Sequence, residues 1–426
     1  MSFQSLRLYF TTLLVSLLLG ACGGGDASSA AAPTDLTVTT GNGQVTLKWT
    51  PVAGVEYWVM YAPTSDPIDI KNPPGVHYWL NNVTSPLVIP GLTNGQAYSF
   101  AMDARINGGK GGAQTTSMNR TPRLGGAAWS AGSGLDNHQN FKGLAYGTAT
   151  DASLDYIAVG SGGSIYKSTY LSTDNALTWS STASGLAINF NAVTYAFGKF
   201  IAVGSGAGNN IVSSADLTTW ASATTAIASG LNAVATDGVT VVAVGGSGQI
   251  YWSADALSWT AATVSGVNQN LQGVAYLASG SWVALGDGGT LLTSADGRVW
   301  ARSSATLPAE LVSTTLRAAA SVGSTWVVVG DAGKLMTSTD SGATWIYHAV
   351  STTSSPNLYA VNGSSTTLSA AAQFLAVGAS GAVYSSPDGS VWTAQSAGMS
   401  NDLYGLLGSA TLYIAVGGAG TSRISQ

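Results

Sequence analysis

Residues 270–300, NLQGVAYLASGSWVALGDGGTLLTSADGRVW, contain one complete unit of the pattern that fills the C-terminal part of this chain. Four short strand candidates follow one another: 270–276, the apolar run 282–286, 289–294, and the segment that carries Trp300. The apolar run occurs seven times, and it ends at Gly160, Gly204, Gly245, Gly286, Gly330, Gly378 and Gly417. Seven tryptophans, offset by one unit, close the repeats at Trp129, Trp179, Trp220, Trp259, Trp300, Trp345 and Trp392.

Four strands in a unit of roughly 40 to 50 residues are the dimensions of a β-propeller blade. Residues 125–426 are therefore predicted to form a seven-bladed β-propeller. A right-handed parallel solenoid is the competing interpretation, but its units are generally shorter. The last unit ends at Gln426 without a tryptophan strand, whereas a surplus one lies at 127–131. We expect this strand to complete the seventh blade, so that no sheet edge stays open.

A Ser-x-Asp segment precedes six of the tryptophans, as in Ser338-Thr339-Asp340-Ser341-Gly342-Ala343-Thr344-Trp345. These segments resemble Asp-boxes, the BNR repeats of sialidases and related propellers, including xyloglucanase-like hydrolases and Ycf48-like photosystem II assembly factors. Short Ser and Asp side chains accept hydrogen bonds from turn amides, which favours a structural role over a catalytic or metal-binding one. The resemblance also implies that the boxes lie away from the active face. The six aspartates are Asp174, Asp216, Asp255, Asp296, Asp340 and Asp388.

The first strands of the seven units can be aligned with one another. One position is always small, as crowding at a propeller axis requires, and the position before it is always polar or aromatic. These preceding residues are predicted to surround the mouth of the central channel, where they could bind a glycan or a peptide end. The alternative is that they satisfy backbone groups or bind channel water. They are Lys142, Asn191, Asn232, Gln272, Arg317, Tyr359 and Tyr404.

The repeat region contains few of the residues that catalysis would need. Asp287 and Asp331 could pair as acid and base of a glycosidase, but their Gly-Asp-x-Gly setting is typical of turns. Four arginines and the single glutamate Glu310 are too few for sialidase chemistry. His138 and His348 are isolated, so no metal and no cofactor are predicted. We expect a binding protein without catalytic residues, and a glycan-active hydrolase is the alternative.

Residues 34–122 contain alternating segments at 44–49, 56–61 and 97–102, which predict a small β-sandwich. Trp49, Tyr57, Tyr61 and the stretch 92–98 resemble the strand B tryptophan, the strand C tyrosines and the corner before strand F of fibronectin type III domains. The resemblance implies a spacer or a protein-binding module. Because the fold alone does not imply a function, the spacer is favoured.

The first 22 residues have the pattern of a leader and its cleavage site. Arg7 precedes a short apolar run, 8–19, and Leu19-Gly20-Ala21-Cys22 resembles the bacterial lipobox, so residues 1–21 are predicted to be a lipoprotein signal peptide. Ordinary secretory cleavage is the alternative. Cys22 would receive the lipid, Gly23 in place of Asp favours the outer membrane, and 22–33 would be a flexible tether.

The amino-acid composition limits the classes of partner that this chain could bind. A pI near 5.0 and only 15 Lys and Arg residues leave no basic surface for nucleic acid. One cysteine excludes an internal disulfide and a four-cysteine zinc site. The sequence thus predicts an all-β lipoprotein of the cell envelope, with a fibronectin type III-like sandwich and a propeller that binds an envelope or extracellular protein or glycan.

Overall fold

The computed structural model describes residues 29–41, 43–122, 126, 129–149, 154–168, 177–182, 184–227, 229–350, 355–366, 369–408 and 412–425. Within these ranges the regular structure is β-strand with a few one-turn 3₁₀ segments, and none of the described helical segments is long and apolar enough to cross a membrane. The predicted leader, Cys22, Asp174 and the Ala127–Ala128 part of the closing strand lie outside the described residues.

Two sheets form the N-terminal sandwich. The larger sheet has the order β1-β7-β4-β5 with β8 paired to β7, and the smaller one has the order β2-β3-β6. Alternate side chains of both sheets, such as Leu47, Val59 and Phe100, fill the space between them without solvent exposure. The strands are β1 (Ser29–Ala30), β2 (Thr37–Gly41), β3 (Gln44–Lys48), β4 (Glu56–Ala62), β5 (Tyr78–Val83), β6 (Leu87–Ile89), β7 (Tyr98–Arg105) and β8 (Met118–Arg120).

The first strand shortens the tether predicted over 22–33. Ser29 and Ala30 pair with Arg105 and Ala104 of β7. Nothing in the side chains of this Gly/Ser/Ala-rich stretch indicates a strand. The pairing arises because β7 presents backbone groups that need hydrogen-bond partners.

In the described part of the chain after the sandwich there are seven sheets, and each has four strands in sequence order except where noted. The first three sheets are β10 (Phe141–Thr148), β11 (Leu154–Gly160), β12 (Ile165–Ser168), β13 (Ser180–Ser181); β14 (Ile188–Ala196), β15 (Lys199–Gly206), β16 (Ile211–Ser214), β17 (Ala221–Ser222); and β18 (Leu231–Thr236), β19 (Val241–Gly245), β20 (Ile250–Ser253), β21 (Thr260–Ala261). The fourth sheet has an extra short strand beside its last one: β22 (Thr263–Val264), β23 (Leu271–Leu277), β24 (Ser281–Gly286), β25 (Thr290–Ser294), β26 (Val299–Arg302).

The last sheet combines the two ends of the repeat region. Its fourth strand is β9 (Ser130–Ala131), which pairs with β37 through Ala131 to Arg423 and Ser130 to Ile424. The strands of the last three sheets are β27 (Leu316–Val322), β28 (Thr325–Gly330), β29 (Lys334–Ser338), β30 (Ile346–Ala349); β31 (Leu358–Thr366), β32 (Ser369–Gly378), β33 (Ala382–Ser386), β34 (Thr393–Ser396); and β35 (Leu403–Gly408), β36 (Tyr413–Gly417), β37 (Ser422–Ser425).

The core of this region is divided among the contacts between successive sheets. Seven apolar clusters each combine buried side chains of two neighbouring sheets, and one of them joins Val416 and Ile424 of the last sheet to Phe141 and Ala158 of the first. The first strands, β10, β14, β18, β23, β27, β31 and β35, contact one another in that order, and β35 contacts β10. These inner strands therefore surround a common axis.

The Asp-box aspartates that the structure describes hold turns. Asp216 accepts hydrogen bonds from the amides of Thr218 and Thr219 at 2.9 and 2.7 Å, while Ser214 accepts one from Leu217. The amides lower the pKa of Asp216, and hydrogen bonds from Thr344 lower the pKa of Asp340 to about 2. Equivalent bonds hold Asp255, Asp296 and Asp388. This arrangement favours the structural role.

Candidate functional site

A β-bulge places each of the seven predicted ring residues. In every inner strand the pairing register shifts across one residue, for example between Leu316 and Ala318, so that Arg317 has no partner in the ladder. A bulge of this kind turns the extra side chain away from the regular alternation. The same shift skips Lys142, Asn191, Asn232, Gln272, Tyr359 and Tyr404.

The small residue after each bulge lies against the next inner strand. A Cβ added to Gly143 would come within 2.9 Å of Ala192 Cα, and one added to Gly405 within 2.8 Å of the Lys142 carbonyl oxygen. One added to Gly273 would overlap the carbonyl oxygen of Arg317. Close packing of neighbouring backbones around the axis therefore leaves no room for a side chain at these three glycines.

The seven ring residues line one cavity. Its volume is about 350 Å³, which is within the range of small-ligand sites, and its lining consists of these side chains alone. The order of the sheets divides the ring into two arcs. Three amides, Asn191, Asn232 and Gln272, form one arc, and two phenols between two cations form the other.

The amide arc bonds to its own framework. Asn191 Nδ2 donates to the carbonyl oxygen of Leu231 at 2.9 Å, and Asn232 Nδ2 donates to that of Leu271 at 2.8 Å. For these two residues the structure agrees with the alternative that ring side chains satisfy backbone groups. These bonds fix the amide planes and leave the Asn232 amide oxygen at the cavity without a hydrogen-bond donor among the described residues.

In the arc of cations and phenols, neighbouring side chains pack through their aromatic rings. Tyr359 and Tyr404 have ring centroids 5.2 Å apart, and the Arg317 guanidinium lies 5.2 Å from the centre of the Tyr359 ring. Both geometries fall within the distances at which aromatic pairs and cation–π pairs attract. At the other end of the arc, Lys142 Nζ donates to Asn191 Oδ1 at 2.9 Å. The arc thus presents a preformed surface of fixed rings.

Burial shifts the pKa of two side chains in this arc. It raises the pKa of Tyr404, with help from the Asp402 carboxylate that accepts its hydroxyl hydrogen at 3.2 Å, to about 12. Loss of surrounding water lowers the pKa of Lys142. Tyr404 therefore remains a neutral hydrogen-bonding phenol at physiological pH.

Asp287 and Asp331 occupy separate turns, each engaged by ring residues. Asp287 accepts hydrogen bonds from Gln272 at 3.0 Å and from Asn270 at 3.1 Å. Asp331 forms a two-pronged ion pair with Arg317, in which Nη2 lies 3.0 Å from Oδ2. Each carboxylate thereby orients a ring side chain, which is the work of a positioning residue and not of an acid and base pair.

Neighbouring sheets are joined by side-chain to backbone hydrogen bonds that the sequence did not predict, and we call these bonds interstrand clasps. Two positions before the ring residue, at or just before the start of five inner strands, lies an Asn or Asp whose Oδ1 accepts a hydrogen bond from a backbone amide of the neighbouring sheet. One of these bonds, from Ala419 to Asn140 at 3.2 Å, joins the last sheet to the first. The repeated Asn/Asp-x-polar spacing was the available signal. The clasping residues are Asn140, Asn189, Asn270, Asn357 and Asp402.

Metal ligands do not cluster in the part of the chain that the structure describes, where no group of three His, Cys, Asp or Glu side chains could hold an ion. His138 contacts Asp136 at 3.0 Å. His138 lies in the turn before β10, whereas His348 lies on β30, and burial lowers the pKa of His348.

These features define an all-β protein with a β-propeller fold and a polar ring at the propeller axis. No family model and no curated protein matches the chain. Among solved structures, "YCF48 bound to D1 peptide" is similar with a TM-score of 0.54 and 16% identity, covering 70% of this chain and 94% of that one. "YCF48 from Cyanidioschyzon merolae" has a TM-score of 0.54 and 15% identity, and covers 70% of this chain and 99% of that one.

Propellers with different names are similar to the same extent. The WD40 propeller domain of Doa1 has a TM-score of 0.52 and 11% identity over 70% of this chain and 97% of its own. Virginiamycin B lyase from Staphylococcus aureus has a TM-score of 0.56 and 8% identity over 70% of this chain and 99% of its own. At such low identity these likenesses show the propeller fold alone.

Proposed function

We propose that this chain is a lipid-anchored envelope protein whose seven sheets are the blades of one closed propeller, and that the propeller binds a segment of a partner protein at its axial cavity without catalysing a reaction. One observation carries the proposal: each of the seven inner strands contributes one bulged side chain to the same cavity. A regular ladder has no need of seven bulges, so their recurrence points to a surface built for a ligand.

The chemistry of the ring fits a polypeptide. Fixed amides such as Asn232 and Gln272 match the donors and acceptors of peptide groups, and Tyr359 and Tyr404 offer flat surfaces for side chains. A similar propeller has been solved as YCF48 bound to D1 peptide, which adds support for a protein partner. A glycan is the other occupant that a ring of amides and phenols could take.

Hydrolysis of glycans has weaker support. A glycosidase needs two carboxyl groups facing one substrate bond, one of them as an acid. Here Asp331 forms an ion pair with Arg317, and Asp287 accepts hydrogen bonds from Gln272 and Asn270. The described Asp-box carboxylates are engaged by turn amides. We therefore favour binding over catalysis.

A capture experiment tests the binding site. The full chain, purified in detergent and immobilised, is expected to retain specific proteins from an envelope extract. Tyr359→Ala should weaken their binding by at least about 30-fold, the effect of removing one aromatic anchor of about 2 kcal/mol. Affinity is measured with each captured protein after purification.

Tyr276→Ala is the matched control, because Tyr276 lies on the inner strand β23 and is 41% exposed but does not line the cavity. It should bind like the unaltered chain. Digesting the extract with protease should abolish capture, while removing glycans should not. Equal binding by Tyr359→Ala, or capture that survives the protease and needs glycans, would refute a protein ligand at the ring.

The remaining elements fit delivery of the propeller to a membrane. In this proposal Cys22 carries the lipid at the outer membrane, and the fibronectin type III-like sandwich is a spacer. Because the chain has one cysteine, Cys22→Ala should lose all incorporation of a radiolabelled fatty acid and move the protein out of the membrane fraction. Cys22→Ala protein that still incorporates label and sediments with membranes would contradict the anchor.

A further inference from the structure

In the larger sheet of the sandwich, strand β7 is buried on both faces. Residues of β7 that point away from the sandwich core, such as Ala101 and Asp103, are 0% and 2% exposed. Met60 and Ala62 of β4 join Ala101 and Ile68 in a second apolar cluster on this outer face. The outer face of a sandwich sheet normally meets water and carries polar residues. Here loops of the chain cover an apolar outer face instead.

The two covering loops are held in place by side chains of one of them. Gln114 accepts a hydrogen bond from the amide of Ile70 at 2.6 Å and donates one to the carbonyl oxygen of Ile68 at 2.8 Å. Ser117 accepts from and donates to the backbone of Ile68 at 3.0 and 2.9 Å. The two loops thus form a fixed cover over the outer face of the sheet, which we call the roof.

A cavity of about 600 Å³ lies between this roof and the sheet. It is larger than the axial cavity and lies within the range of small-ligand sites. Its lining includes Asp69, Lys71, Trp79, Asp103, Arg105 and Gln114. Two carboxylates and two cations balance, so the lining favours a neutral ligand over an ion.

The polar wall of this cavity is rigid. Asp103 accepts hydrogen bonds from Arg105 Nε and Nη2 at 3.3 and 2.9 Å, and the guanidinium lies 3.8 Å over the ring of Trp58. Trp58 in turn meets Trp79 edge to face, with centroids 6.5 Å apart. A buried ion pair contributes little net stability, because desolvation offsets its attraction. Its place beside a cavity is better explained by a ligand.

We propose that this cavity binds a neutral sugar unit of a glycan. The hydrogen bonds already described leave donors for sugar hydroxyls, namely Arg105 Nη1 and the second hydrogen of Gln114 Nε2, and the indole of Trp79 can pack against the C–H face of a sugar ring. Gly111 and Gly112 form another part of the wall, where an added Cβ would overlap the Asp103 carboxylate and the Ala30 carbonyl oxygen, so this wall is closely packed. The site is separate from the axial ring and does not rest on the proposed function.

Titration of the detergent-purified full chain with lactose, maltose, cellobiose and N,N′-diacetylchitobiose tests this proposal by calorimetry. At least one disaccharide is expected to bind, and Trp79→Ala should weaken that binding about tenfold, as loss of one stacking partner predicts. Trp252→Ala is the matched control, because Trp252 is half-buried like Trp79 but lies outside the cavity. It should bind within about twofold of the unaltered chain.

A second measurement needs no variant. Lys71 lines the cavity and is exposed, so the bound disaccharide should slow its acetylation, while Lys48, exposed on β3, should react at an unchanged rate. The proposal is overturned if none of the four sugars binds, or if a sugar binds without protecting Lys71. Loss of binding in Tyr359→Ala but not in Trp79→Ala would assign the sugar to the axial ring instead and overturn it equally.

Discussion

Trp282→Ala is expected to destabilise the chain by about 3–5 kcal/mol, the cost of emptying a large buried aromatic site. Trp282 is fully buried on β24, where it packs with Val242, Leu271 and Trp300 between the third and fourth sheets. The neighbouring backbone is held by ladder hydrogen bonds and cannot collapse into the space. Urea denaturation followed by circular dichroism should show a lower midpoint with an unchanged slope.

Trp282→Phe is the matched control. Two of the other sheets place Phe200 and Phe374 at the position of Trp282, each opposite the serine that begins an Asp-box. A phenyl ring therefore suits this site, and the loss should be less than half that of the alanine variant. Equal loss in both variants would show that the indole has a role beyond filling space.

Gly245→Ala is expected to destabilise by about 1–3 kcal/mol or more through backbone overlap. A Cβ at Gly245 would overlap the carbonyl oxygen of Gly230 in the adjacent inner strand. The same overlap would occur at the other six glycines that end the apolar runs. The repeated glycine is thus explained by a close approach of two strands. Thermal unfolding should show a lower transition temperature.

Gly246→Ala separates this cause from a general effect of replacing glycine. At Gly246 the added Cβ would lie 3.5 Å from Asn270 Oδ1, an ordinary contact, and the sixth sheet has Ala379 at this position. Stability should change by less than about 0.5 kcal/mol. If adjacent glycines respond equally, steric overlap with the inner strand is not the reason for the conserved spacing within this chain.

Much of the fold could be predicted because each unit repeats its local signals. Alternating segments at 44–49, 56–61 and 97–102 coincide with β3, β4 and β7, and the apolar runs coincide with the second strands of the sheets. Alignment of the repeats also marked Arg317, Tyr359 and Tyr404 as equivalent. A single short apolar segment could be a strand or part of a helix, but seven copies of the same pattern identify it as a strand.

Other features depend on contacts between segments distant in sequence. The clasp from Ala419 to Asn140 joins residues 279 positions apart, and the pairing of Ser29 with Arg105 turns part of a featureless tether into a strand. The second covered face of β7 was equally hidden, because alternation predicts one polar face and the burial arises from loops folded over it. Register shifts cannot be read from hydrophobic pattern, since a bulge changes pairing without changing composition.

Local propensity and internal periodicity were enough to predict the all-β class, the seven repeats, the turns at the Asp-boxes and the seven equivalent positions of the first strands. The groups that these residues meet follow from the packing of distant segments: Arg317 with Asp331, Tyr404 with Asp402, and Asp103 with Arg105 beneath a roof of loops. The reason is geometric. Side-chain partners are selected by the packing of backbones that approach one another only after the sheets assemble around the axis or across the sandwich.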